Sequence, residues 1–206
     1  MATPDYCTAR DVQAALPDGN WGETYDDVLA SCVTRASRAI DAYLKRAPGA
    51  FAVSDDSTRY FDGTGGAVLW PGEFIAVTSL SVAETGDPTA YTLWAATDYV
   101  LWPYNAAAEG MPYERIDLDT LYGTKTMFPR YRKAVKVVGK FGYSGTVPDE
   151  VQAAAIIEAA RLFKRGQAGY QDYGGNPALG QVRVTAELDP QAAQVLAAAR
   201  FGRLTI

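Results

Sequence analysis

The chain has 206 residues, nearly half of them hydrophobic, with a net charge of −5 and no histidine. That length suits one large domain or two small ones, with enough apolar side chains for a sizeable core. The missing histidine removes the Ser-His-Asp triad and the most frequent zinc ligand, and the acidic balance argues against a general nucleic-acid binder.

Thr8 opens a first helix as N-cap, with Asp11 three residues on as an acidic variant of the capping box. Turn residues from Leu16 to Asn20 end it, which predicts a helix near 9–16. A stronger helix is predicted over 25–46. Leu29, Val33, Ala36, Ile40, Tyr43 and Leu44 recur there at three- and four-residue steps, and Pro48-Gly49 closes it.

Between Phe51 and Gly145 the period changes to that of strands. Candidates are 58–62, 67–70, 74–82, 91–94, 99–102, 115–118 and 134–141, separated by Gly and Pro turns; 103–112 reads as an exposed loop. Short strands at this density predict a small barrel or sandwich. Val147 then precedes Pro148, with Asp149 and Glu150 in the first turn of a helix over 148–165. That helix is apolar almost all round and needs contacts on several sides. A Tyr- and Gly-rich link follows at 166–175. Gln181 to Ala186 reads as a strand, and Asp189-Pro190 caps a short helix to 200.

The predicted class is therefore α+β. Helices are expected near 9–16, 25–46, 148–165 and 190–200, and 1–50 with 146–179 make a helical core. A β-rich insert spans 51–145, and a C-terminal arm spans 180–206.

Chemistry is sparse. Cys7 and Cys32 lie far apart with no CxxC spacing and read as free, semi-buried thiols. Residues 1–11 are polar and no apolar run reaches membrane-spanning length, so the expectation is a soluble protein used inside a cell, with no membrane partner. Gly63-Thr-Gly-Gly66 lacks the following Lys-Ser/Thr of a phosphate loop and reads as a hairpin turn. Asp26-Asp27 and Asp55-Asp56 read as caps and solvated charges. Asp117 and Asp119 share a strand face near Glu114, which admits a weak cation site or an exposed strand edge. No metal and no cofactor are expected, and no catalytic residue. Trp70, Trp94, Trp102 and Tyr104 read either as a stacking set or as core and interface residues.

One charge run stands out. Residues 120–145 hold Lys125, Arg130, Arg132, Lys133, Lys136 and Lys140 and no acid, while the remainder has thirteen cations against twenty-four acids. Two readings stand: a solvated edge that blocks strand pairing, or a positive patch facing an acidic partner or passing DNA.

Several segments, in this order, resemble the head–tail connector (adaptor) proteins of long-tailed bacteriophages and related gene-transfer particles. They are Tyr6-Cys7-Thr8-x-x-Asp11-Val12, Ala36-Ser-Arg-Ala-Ile-Asp-Ala-Tyr43, Thr58-Arg-Tyr-Phe-Asp-Gly63, Gly142-Tyr-Ser-Gly-Thr-Val-Pro148 and Arg161-Leu-Phe-Lys-Arg165. The strand insert departs from the smaller, mainly helical members. The resemblance implies a virion structural protein of the neck, not an enzyme, assembled in the host cytoplasm. It implies a homo-oligomeric ring, typically twelvefold, beneath the portal vertex, which extends the DNA channel and meets the next head-completion or tail protein. It also implies a portal-binding C-terminal arm, here Val182, Val184, Val195, Leu196, Phe201, Leu204 and Ile206. Two other classes compete: a hydrolase or carbohydrate-active β module using Asp117 or Asp119, and a binding module for an acidic peptide.

Overall fold

The computed structural model describes residues 3–16, 25–167, 173–174, 182–183, 188–199 and 201. The chain is α+β and divides into two units, one of Met1–Phe51 with Val147–Ile206 and one of Ala52–Thr146.

The first unit is helical. Its elements are α1 (Ala9–Ala15), α2 (Asp26–Tyr43), α4 (Asp149–Gln167) and α5 (Pro190–Ala198), with a two-residue ladder between β8 (Tyr173–Gly174) and β9 (Val182–Arg183). The predicted box starts α1: the Asp11 N–H donates to Thr8 Oγ1 at 3.2 Å and the Thr8 N–H to Asp11 Oδ2 at 2.8 Å. The helix α2 stops at Tyr43, three residues short of the expected end, because Lys45 turns into the left-handed region at φ 54°. The helix α4 packs against α1, α2 and α5. Val151, Ala154, Ala155, Ala159 and Phe163 are buried, while Ile156, Ile157 and Leu162 stay half-buried and Ala153 exposed.

The second unit is built on two sheets. The first has the order β1 (Ser57–Phe61), β7 (Val135–Lys140), β3 (Ala76–Val82), β4 (Thr92–Leu93). The second has the order β2 (Val68–Leu69), β6 (Arg115–Leu118), β5 (Tyr99–Trp102). All these pairings are antiparallel. Alternation explains the faces: Val135, Val137 and Gly139 are buried on β7, while Lys136, Val138 and Lys140 face outward and stay partly exposed. Leu69, Phe74, Leu80, Val82, Trp94, Ile116, Phe128 and Val137 belong to one core. The loop expected at 103–112 contains a four-residue helix, α3 (Ala106–Glu109), that buries Ala106 and ends at Gly110 with φ 66°. The strand expected from Phe74 begins at Ala76; Phe74 itself is a buried isolated bridge to Tyr113. Among the described residues no helix is long and apolar enough to cross a membrane.

Candidate functional site

Three of the four amides of the Gly63–Gly66 loop are already engaged within the chain. The Gly63 N–H donates to the Tyr131 carbonyl and the Gly65 N–H to that of Phe128, both at 2.9 Å, and the Gly66 N–H donates to Thr64 Oγ1 at 3.2 Å. The loop clamps residues 128–131, and it is more than the hairpin turn expected from its sequence.

Four of the candidate carboxylates are separately engaged. Asp117 pairs with Arg115 at 2.8 Å. Asp119 Oδ1 accepts from the N–H groups of Leu121 and Tyr122 at 3.0 and 2.9 Å. Asp26 accepts from Gln13, and Asp56 from the Thr78 hydroxyl. Among the described residues no group of three or more His, Cys, Asp or Glu is placed to hold a metal ion. Cys7 and Cys32 are free and buried, and burial together with the Asp11 and Asp5 charges pushes the Cys7 thiol up to about 12. A thiol held that high is protonated at neutral pH and is no nucleophile.

Two polar clusters carry no sequence signal beyond the motifs that contain them. In the helical unit the buried Asp41 accepts from the Tyr6 hydroxyl and, at 3.2 Å, from the Gly49 N–H, and pairs with Arg38 at 3.2 Å. Burial pushes the Asp41 carboxyl up, and these three donors oppose it. Tyr6 and Asp41 both lie in segments that carry the resemblance. Glu158, buried on α4, binds Arg161 through two oxygens and takes the Asp189 N–H at 3.0 Å, which ties the start of α5 to α4.

In the β-rich unit Asp98 pins the 119–124 turn. It accepts the Thr124 N–H at 2.7 Å, the Thr124 hydroxyl at 2.9 Å and the Ala95 N–H at 3.1 Å. The Thr124 N–H foremost, with these other donors and nearby Lys125, holds its carboxyl below the ordinary range. A lowered folded value means that the contribution is complete above the unfolded value near 3.8 and is lost as pH falls through the folded one. Asp98→Asn is therefore expected to melt lower than the parent at neutral pH, with the gap closing on acidification below that value. Thermal melts across an acid series check this; a gap that is constant or grows in acid refutes it.

The six cations of the basic run do not form one set. Lys125 is bound to Glu84 at 2.5 Å and lies over the Trp94 ring. Arg130, Arg132 and Lys133 are exposed; the Lys133 backbone, with φ 50°, is held by Asp62. Lys136 and Lys140 stand on the outer face of β7, Lys136 near the Tyr91 ring. The aromatic set divides as well. Trp94 is core, stacked on Phe128 with its Nε1–H on Glu84 at 2.9 Å. Trp70 and Trp102 flank Arg115, whose guanidinium lies 5.2 and 4.4 Å from their ring centroids. Tyr104 is exposed.

In the arm, Leu196 is buried, Val195 half-buried, and Phe201 packs edge-on against Phe51 at 5.2 Å. Val182 lies in β9. Val184, Leu204 and Ile206 lie outside the described residues.

No family model matches the chain, and no curated protein does. Solved structures do. A chain in the neck of an empty gene transfer agent (GTA) particle, computed with C6 symmetry, superposes with a TM-score of 0.52 at 18% identity, over 92% of this chain and 97% of that one. A chain in the virion of the native GTA particle gives the same TM-score, identity and coverage. The chain thus has the fold of a gene transfer agent neck protein, β-rich insert included.

Proposed function

We propose that this protein is a structural head–tail connector subunit of a phage-like particle, set in the neck as a ring. The observation that carries this reading is the fold shared with a neck chain over nearly the whole length of both proteins. The separate engagement of Asp117 and Asp119 supports a role in assembly over one in catalysis. In the full proposal twelve copies dock beneath the portal vertex after assembly in the host cytoplasm. The ring extends the DNA channel and meets the next head-completion or tail protein. The outward lysines Lys136 and Lys140, with Arg130, Arg132 and Lys133, are its surface toward DNA or an acidic partner, and Lys125 drops out because Glu84 neutralises it.

The C-terminal arm is the portal-binding element of this proposal, in a narrower form. Leu196 and Phe201 are buried in the helical unit, so deleting all of 180–206 would strip the cover from α4. Residues 202–206, with Leu204 and Ile206, are the ones to remove. The truncated chain is expected to melt like the parent and to lose portal docking. Electron microscopy of the purified protein, alone and mixed with portal, is the test. Rings with a central hole that stack on portal support the reading. Truncated chains that dock with unchanged affinity remove the arm from it, and a preparation with neither rings nor portal binding removes the reading itself.

A further inference from the structure

We infer that the outer face of the β1–β7–β3–β4 sheet binds the sugar–phosphate backbone of double-stranded DNA without reading its sequence. The inference narrows the cationic surface named above to one partner and rests on that reading. Register builds the face. Lys136 stands between Tyr60 on β1 and Ser81 on β3, Val138 between Thr58 and Ser79, and Lys140 beside Ala76. No residue of the four strands is acidic. Tyr60 is 51% exposed, and its ring lies 6.1 Å from that of Tyr91, whose centroid is 5.8 Å from the Lys136 ammonium. The Tyr91 hydroxyl donates to the Lys133 carbonyl at 2.7 Å, which ties the exposed run of Arg130, Arg132 and Lys133 to this end of the sheet.

These five cations, Lys136 and Lys140 included, make no ion pair with a described residue. The carboxylates next to the strand ends are engaged within the chain. Asp56 accepts from the Thr78 hydroxyl at 2.5 Å and Asp62 from the Lys133 N–H at 2.8 Å, while Glu84 takes Lys125 and the Trp94 Nε1–H. The chain as a whole carries −5, so a polyanion is held by this local charge and not by the net field.

The residue types decide the partner. Lysine, serine, threonine and tyrosine side chains donate to phosphate oxygens and fix a duplex in place without sequence information. Protein–protein interfaces are instead poor in lysine and serine and are anchored by apolar cores. Here the centre of the face is Lys136 and Val138 on β7, with Tyr60, Thr58, Ser79 and Ser81 on the flanking strands. A DNA groove admits a two-stranded ribbon, whereas β7 is flanked on both sides, so the face rests on the backbone and leaves the base edges unread.

The test is fluorescence anisotropy of labelled duplexes of two unrelated sequences, titrated with the full-length chain across a salt series. Both duplexes should bind alike, with a log–log salt slope of about −4 to −5, the counterion release expected from five neutralised phosphates. Lys136 and Lys140 stand about 13 Å apart at about 3.3 Å per strand residue, so they meet different phosphates. Lys136→Gln/Lys140→Gln should therefore make the slope shallower by about two and weaken binding at least about tenfold at low salt, and Lys136→Arg/Lys140→Arg should retain both. Lys125→Gln should leave the slope unchanged, because that lysine is paired with Glu84. If the lysine variant unfolds, Arg130→Gln/Arg132→Gln, whose altered side chains are exposed, reads the same change of slope. Four outcomes overturn the inference: a parent that does not bind at low salt, a slope unchanged in the folded variants, tighter binding of single strands than of duplex, or tighter binding of polyglutamate than of duplex. None of them touches the neck reading, which is decided separately by rings and portal docking in the electron microscope.

Discussion

Gly63→Ala is expected to destabilise the β-rich unit by about 4 kcal/mol, the range in which backbone collisions rank among the most damaging single changes. A Cβ at this position would sit 1.6 Å from the Pro129 carbonyl oxygen and 2.7 Å from its carbon. Both are backbone atoms, so no side chain can swing aside. The loop would have to lift, and the bonds from Gly63 to Tyr131 and from Gly65 to Phe128 would go with it. Two neighbours provide the scale. Gly65 has φ 77°, and a Cβ there would meet only the Arg130 side chain at an ordinary 3.5 Å, so its alanine variant should lose about 1–2 kcal/mol from the left-handed backbone alone. At Gly66 the nearest atom is 3.8 Å away, and alanine should be almost neutral. Urea titrations of the three variants check the order. Equal losses at 63 and 66 would show that the loop is not clamped.

Asp41→Ala should cost the helical unit about 3–5 kcal/mol, the usual outcome of removing one partner from a buried charged network. It strands the buried Tyr6 hydroxyl and Gly49 N–H, and takes one carboxylate partner from the half-buried Arg38. Tyr6→Phe removes one donor and should cost only about 1–2 kcal/mol. The contrast separates a network from a single bond: denaturation midpoints that fall equally for both variants would mean that the phenol alone carries the cluster.

Both positions belong to segments on which the resemblance rests, and their physical reasons were not legible in the chain. A glycine after Thr58-Arg-Tyr-Phe-Asp reads as a strand end; that it touches the backbone of Pro129 depends on a contact across more than sixty residues. Local signals transferred well. The Thr8–Asp11 box, the Asp189-Pro190 cap and the alternation of Val135 and Val137 each rest on near neighbours, and each is present. Signals that need distant partners did not transfer. Nothing around Asp98 or Glu158 distinguishes them from solvated charges until Thr124 and Asp189 arrive from 26 and 31 residues away. The Trp70–Arg115–Trp102 row exists only once three strands pair in register. The helix α3 was hidden for another reason: Asn105 makes no side-chain cap, and four residues cannot establish a period.

The β-rich unit begins at Ala52 and ends at Thr146, and the Val53 N–H donates to the Ser144 carbonyl at 2.9 Å near its two ends. Once this unit has folded, the two halves of the helical unit are joined by a few residues in effect, where the unfolded insert is a loop of about ninety. Loop-closure entropy grows with the logarithm of length, so the difference is about 2–3 kcal/mol in favour of bringing α2 and α4 together. The folded insert thus lowers the entropic cost of a core made from distant parts of the chain.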